Sequence, residues 1–362
     1  MINSKITLDD VLVRDGNNLD LFRLLAAFMV IYGHSFAVAP NVAGGDYLFQ
    51  FTGFHSGDIA VKSFFFMSGL LIVNSILQNK SPLIYIVHRA FRIIPGLILV
   101  LLVSTFVVGP LFTTLPINEY FNDPNTYEYI PNMLFNSWGG QNLGYYDLPG
   151  VFLNNPVGRN INAPLWTLTV EMFAYIFILS IFLVGGFKKH FAVVLFVIIL
   201  IDSLLPEPLI FHWLPINNQD LSLIPYCFAV GALMAVYKQY IKISYHLPLG
   251  LLFLYFMLKG SIFDLHIAYA FSFTLILFLS TRAIVKNITI KHDISYGVYL
   301  YGWLVQQSIS YLFPNITFTL FVTLSLVLAV IMASISWVLV ERPAINISKK
   351  ISTQIKYWRI HE

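Results

Sequence analysis

The chain has 362 residues, of which 57% are hydrophobic and 16% aromatic but only 11% charged. That composition leaves no room for a sizeable soluble domain, points away from a nucleic-acid partner, and describes a polytopic membrane protein with apolar runs of about twenty residues along nearly its whole length. A formal net charge of +3 decides little, because in a membrane protein the distribution of Lys and Arg matters more than their sum.

Residues 1–18 are polar and of mixed charge and form a cytoplasmic lead-in. Candidate spans follow at 19–38, 60–79, 91–114, 165–185, 191–206, 221–237, 246–260, 265–282, 294–312 and 316–340. The fold class is therefore all-α, a polytopic membrane helix bundle of about ten transmembrane helices. The first run carries Asp20 and Arg23 and lacks a clear small-residue cleavage site, which argues against a cleaved signal. With the N-terminus inside, the inner connections collect Lys80, Arg89, Arg92, Lys188, Lys189, Lys238, Lys242, Arg282, Lys286 and Lys291. The outer ones keep Lys62, Arg159 and Lys259, so both termini are expected in the cytoplasm. Residues 19–345 make one membrane domain, and 346–362 a basic cytoplasmic tail.

In the first span Arg23 and His34 are eleven residues apart, about three turns, so they share a helix face and are separated by about 16 Å of rise. Ionisable groups in hydrocarbon usually face a bundle interior or a wet cavity, which makes this pair a functional candidate. The second span carries Phe64, Phe65, Ser68 and Gly69; small-residue helix packing and a local break beside a cavity are both open readings. No G-x-S-x-G elbow is present, so Ser68 is not offered as a nucleophile. At the inner mouth of the third span, Arg89 and Arg92 point the same way on a helix and suit a phosphate, although for an isolated pair at an interface positive-inside anchoring is the commoner explanation.

The outer stretch 115–163 is long, rich in Tyr, Phe, Asn, Gly and Pro, and carries Glu119, Asp123, Glu128 and Asp147. It reads as a folded cap, either contacting a carbohydrate or resting on headgroups as an aromatic belt. Where it re-enters the membrane, Trp166 precedes Glu171, which could orient His34 or could serve architecture alone. Cys227 falls in an apolar run and is taken as inert. Tyr296 and Tyr299 can hydrogen-bond within a bundle, Glu341 can pair with a cytoplasmic arginine, and Pro343 is expected to help end the last helix. The histidines show no metal-binding spacing, so no metal is expected.

Taken together, these motifs resemble the acyltransferase family 3 of integral membrane proteins over residues 19–345. The matching elements are Arg23 with His34 in the first span, Phe64-Phe65 with Ser68-Gly69, Arg89 with Arg92, and Trp166-Thr167-Leu168 with Glu171. A departure stands in the Ser295-Tyr296 run, where many members have a histidine and this chain has Gly302. Some members also carry a C-terminal hydrolase-like domain, and without it the membrane domain would finish the transfer alone.

The resemblance implies a membrane O-acyltransferase that moves an acyl group, acetyl in the first instance, from cytoplasmic acetyl-CoA (acyl-CoA) to a hydroxyl of an extracytoplasmic or lipid-linked glycan such as O antigen, capsule or exopolysaccharide. It implies the bacterial inner membrane, with membrane lipids as the remaining partners. His34 and Glu171 are then catalytic, Arg23, Arg89 and Arg92 bind the donor, and Trp166, Ser68 and Tyr299 contact the substrate. The competing class is a transporter or flippase for a glycan or anionic small molecule, which would also hold Arg, His and Glu inside a bundle; against it, no inverted repeat is visible.

Overall fold

Inside hydrocarbon a backbone N–H or C=O has no water to bond, so an apolar run satisfies its own backbone by forming a helix. A computed structural model of the chain describes residues 6–13, 16–42, 44–135, 147–187, 189–202, 205, 223–290 and 292–361. Among them the regular structure is helical, with two isolated antiparallel bridges and no strand. The main helices are α1 Leu19–Val38, α2 Ser56–Asn79, α3 Pro82–Val103, α4 Trp166–Leu183, α5 Lys189–Asp202, α6 Ile224–Val236, α7 His246–Met257, α8 Asp264–Ser280, α9 Ser295–Leu312, α10 Phe318–Ser336 and α11 Arg342–His361. A helix stands at each expected span, but Lys5, Arg14, Lys188, Lys291 and parts of the spans at 191–206 and 221–237 lie outside the described residues.

Among the described residues five helical stretches are long and apolar enough to cross a membrane: Leu19–Val38, Ser56–Asn79, Pro82–Phe112, Ala163–Leu183 and Phe318–Trp358. By contrast α5, α6, α7 and α8 run for 14, 13, 12 and 17 residues, short of the roughly 20 that a bilayer core requires. Length therefore supports a multi-pass membrane protein and does not by itself reach a count of ten.

Two long stretches contain a widened π turn. Ser104–Val108 continues α3 into Gly109–Phe112, and Trp337–Glu341 joins α10 to α11. The second turn overturns the expectation that Pro343 ends the last helix. In a regular α-helix the proline ring would meet the carbonyl four residues back; a widened turn just before it opens that space, and helix continues to His361.

The cap at 115–163 is more ordered than a loop without secondary structure. It carries the short helices Ile117–Asn122 and Pro124–Phe135, and the Tyr120 hydroxyl donates to the Thr105 carbonyl at 2.8 Å. Residues 136–146 of the cap lie outside the described residues.

The chain divides into two compact units, one of residues 1–26, 58–80 and 178–293, the other of residues 27–57, 81–177 and 294–362. In the first, α2 and α6 meet backbone to backbone. A Cβ on Gly69 would fall 2.2 Å from the Phe228 carbonyl oxygen, and one on Gly231 would fall 2.1 Å from that of Phe66. Phe66 also stacks on Phe273 of α8, and Cys227 is buried. The N-terminal lead-in belongs to this unit: Thr7 and Asp10 cap the turn Leu8–Val11, and Asp9 bridges Lys238 at 2.7 Å.

In the second unit, Val38, Ala39, Trp303, Ile309, Ile316 and Phe321 form a core between α1, α9 and α10. Asp46, outside the spans and only 4% exposed, ties α1 to α2 by accepting from the Ser56 backbone at 2.6 Å, the Ser56 hydroxyl at 2.7 Å and the Leu48 backbone at 2.9 Å. Burial pushes this carboxyl up, but the bonds from Ser56, Leu48 and Phe49 outweigh it and hold its pKa below the ordinary 3.8. A depressed folded-state value stabilises the fold above the unfolded pKa and loses that contribution as pH falls through the folded one. Thermal melts should therefore separate wild type from Asp46→Asn above about pH 4, and the gap should close toward pH 2. A gap that stays constant over that range would contradict the assignment.

Candidate active site

The second unit holds six of the eight residues singled out above: His34, Arg89, Arg92, Trp166, Glu171 and Tyr299. Arg23 and Ser68 belong to the first. Arg23 pairs with Asp293 of that unit, Nη1 to Oδ2 at 2.7 Å, a partner that sequence adjacency could not supply. Ser68 is half-buried on α2, one residue before the Gly69 contact.

His34 lies on α1, and its ring packs edge-on against Trp303 of α9, with centroids 5.0 Å apart. The Trp303 indole donates to the Asn160 carbonyl at 3.0 Å, which fixes the wall against which the imidazole stands. Among the described residues no hydrogen bond joins His34 to Glu171. At Gly302 a Cβ would meet the Ile31 side chain at 2.7 Å, so a larger residue there requires that side chain to move.

Glu171 is one turn before Tyr175, whose hydroxyl donates to its Oε1. The Tyr175 ring carries the Arg89 guanidinium at 5.6 Å, and its backbone carbonyl accepts from the Tyr85 hydroxyl at 3.0 Å. Arg92 lies over the Tyr296 ring at 5.8 Å, while the Tyr296 hydroxyl donates to the Ile93 carbonyl at 2.9 Å. Each arginine of the pair thus rests on a tyrosine face, a placement that holds a guanidinium plane. Tyr296 stands within electrostatic reach of Arg92, Glu171 and Glu341. Glu341 accepts from the Ser336 hydroxyl at 2.9 Å, and Gly297 makes room for it, since a Cβ there would lie 3.2 Å from its Oε1.

At the start of α4, Tyr299 donates to the Pro164 carbonyl at 2.6 Å and meets the Thr167 hydroxyl. Its hydroxyl clamps the turn that presents Trp166, and Trp166 itself is half-buried.

An amide frame went unnoticed in the sequence. Gln307 donates to the carbonyls of Val157 and Asn160 at 2.7 and 2.8 Å, Asn155 donates to the Gln307 side chain at 2.8 Å, and Asn162 donates to the Leu300 carbonyl at 2.9 Å. Gln306 turns the other way, to the Ile31 carbonyl and the Ser35 hydroxyl, both at 2.8 Å. These bonds fasten the re-entering end of the cap to α9 beside Trp303. Two successive glutamines in an apolar run were the available signal, because an amide is placed in hydrocarbon at a cost and usually crosslinks helices. Lys62 was counted only as an outer charge; it is 3% exposed and paired with Asp58 at 3.5 Å. Among the described residues no group of three or more His, Cys, Asp or Glu is placed to hold a metal ion.

Comparison with known proteins meets this arrangement from the other side. The model of an acyltransferase domain, Acyl_transf_3, matches residues 17–341. An O-acetyl transferase of Shigella phage Sf6 is 28% identical over 336 residues, covering 90% of this chain and 95% of the phage protein. Nodulation protein 10 of Rhizobium leguminosarum bv. viciae is 25% identical over 357 residues, covering 91% and 94%. No solved structure matches. With the family's domain spanning nearly the whole helical chain, this protein belongs to the acyltransferase 3 family of multi-pass membrane enzymes.

Proposed function

We propose that the chain is an O-acetyltransferase of the bacterial inner membrane, working through ten spans with both termini in the cytoplasm, and that its substrates are acetyl-CoA and a glycan or lipid-linked glycan. The observation that carries the reading is the gathering of His34, Arg89, Arg92, Trp166, Glu171 and Tyr299 in one compact unit of an acyltransferase-family chain. The name of the phage relative supports acetyl as the group and oxygen as the acceptor.

In this reading the donor's phosphates dock from the cytoplasm on Arg89 and Arg92. His34 takes the proton of a sugar hydroxyl as that oxygen attacks the thioester carbonyl. The C–O bond forms, the C–S bond breaks, and the proton passes to the departing thiolate, so acetylated glycan and CoA thiol leave. Trp166 and Tyr299 shape the acceptor side. Glu171, bonded to Tyr175 next to Arg89, holds the α3–α4 wall and balances the arginine charge. Arg23 and Ser68 are assigned to the donor arm and the acceptor on the sequence motifs alone.

The test is acetyl-CoA binding and turnover by the purified protein. Arg89→Ala and Arg92→Ala should each raise the Kd for acetyl-CoA by about tenfold, the loss of a charge-assisted bond of roughly 1.5 kcal/mol. Unchanged affinity in both variants would overturn the donor site. Release of CoA thiol only when a glycan acceptor is added separates an acetyltransferase from a transporter, which liberates none.

A further inference from the structure

The helix that follows the last span is more than a charged end. α11 is amphipathic and carries Arg342, Lys349, Lys350 and Lys356. It packs along α3: the Ser352 hydroxyl lies 2.6 Å from His88 Nε2 and also donates to the Ser348 carbonyl at 2.6 Å. A hydroxyl has one proton, so with that proton on Ser348 it accepts from His88 Nε2–H, and the imidazole is fixed against α11. Positions 349, 352 and 356 share one helix face, so the lysines lie on either side of this contact. Both act electrostatically on His88, as does Arg89, and both are exposed. One turn further along α3 from His88 comes Arg92.

Two helices far apart in sequence therefore bring Lys349, Lys356, Arg89 and Arg92 to one end of the same unit. Four cations around one rim exceed what a single phosphate needs, and they fit a ligand with several phosphate groups. We propose that α11 completes the donor site, with Lys349 and Lys356 binding the outermost phosphate of acyl-CoA, its 3′-phosphate, while Arg89 and Arg92 take the diphosphate. This rests on the acyl-CoA reading above. Anionic lipid headgroups offer the same phosphate chemistry, and the exposed Tyr357 and Trp358 on α11 are side chains that suit a membrane surface.

The experiment compares wild type, Lys349→Gln/Lys356→Gln and the charge-keeping Lys349→Arg/Lys356→Arg in nanodiscs of zwitterionic phosphatidylcholine, with acetyl-CoA and with acetyl-dephospho-CoA. Wild type should show a KM at least tenfold lower for acetyl-CoA than for the dephospho donor. The glutamine variant should lose most of that difference, with kcat changed less than twofold, and the arginine variant should keep it. A glutamine variant that discriminates like wild type would overturn the proposal. So would an effect seen only after anionic phosphatidylglycerol is added, which would make the stripe a lipid contact. Wild type that releases no thiol from acetyl-CoA with any acceptor would overturn the acyl-CoA reading itself, an outcome distinct from normal turnover without donor discrimination.

Discussion

Replacing His34 with alanine should lower glycan acetylation by about 10²- to 10⁴-fold, the usual worth of a positioned general base, while leaving the protein folded. Alanine is a stronger helix former than histidine, so α1 gains in propensity what it loses in ring contact. The lost packing is one edge-on contact with Trp303, whose indole stays bonded to the Asn160 carbonyl and so keeps its place. Melting temperature within a few degrees of wild type, unchanged acetyl-CoA affinity and abolished acceptor-dependent thiol release together form the expected signature. Normal acetylation by a folded His34→Ala protein would remove His34 from the chemistry. Gly302 sharpens this test, because that position of α9 carries no side chain and supplies no imidazole that could substitute.

The largest effect on folding should come from Gly69→Ala or Gly231→Ala. In each case the new Cβ would sit within about 2.2 Å of a backbone oxygen across the α2–α6 contact, and no rotamer change relieves a clash with backbone. The two helices would have to part by about 1 Å along their length. Overpacking of this kind costs about 3 kcal/mol or more, enough to lower the melting temperature by roughly 6–12 °C in a domain of this size. The matched control is Gly250→Ala in α7, where a Cβ meets nothing within 4 Å and stability should hold or rise slightly. Thermal melts of the three proteins in detergent check the pattern, and equal stability of all three would show that α2 and α6 are not in backbone contact.

Much of this architecture was legible from apolar run length, because hydrocarbon leaves a backbone little choice but helix. What run length could not supply was where a helix stops. The sequence ends the last span near a proline that the chain passes through, since a widened turn cannot be read from residue types. Motif spacing placed Arg89, Arg92 and Glu171 on helices, yet the tyrosine under Arg92 comes from far along the chain, at Tyr296. Whether Glu171 orients His34 or serves architecture is a matter of tertiary placement that spacing does not supply; the structure gives that carboxylate the Tyr175 hydroxyl, four residues on. The amide frame has its trace in the sequence at Gln306 and Gln307, but an uncharged amide in an apolar run does not tell which distant carbonyl it bonds.

The π turn at Trp337–Glu341 has a consequence for the phase of everything beyond it. Such a turn holds one residue more than an α turn, and one residue in an α-helix is worth about 100° of rotation. Take that residue out and α11 emerges with its faces turned by more than a quarter of a revolution. Ser352 would then swing away from His88, and the lysines on either side would follow it around the axis. The azimuth of the basic stripe is thus set upstream of Lys349, in the turn Trp337–Glu341, inside the membrane-spanning part of the rod.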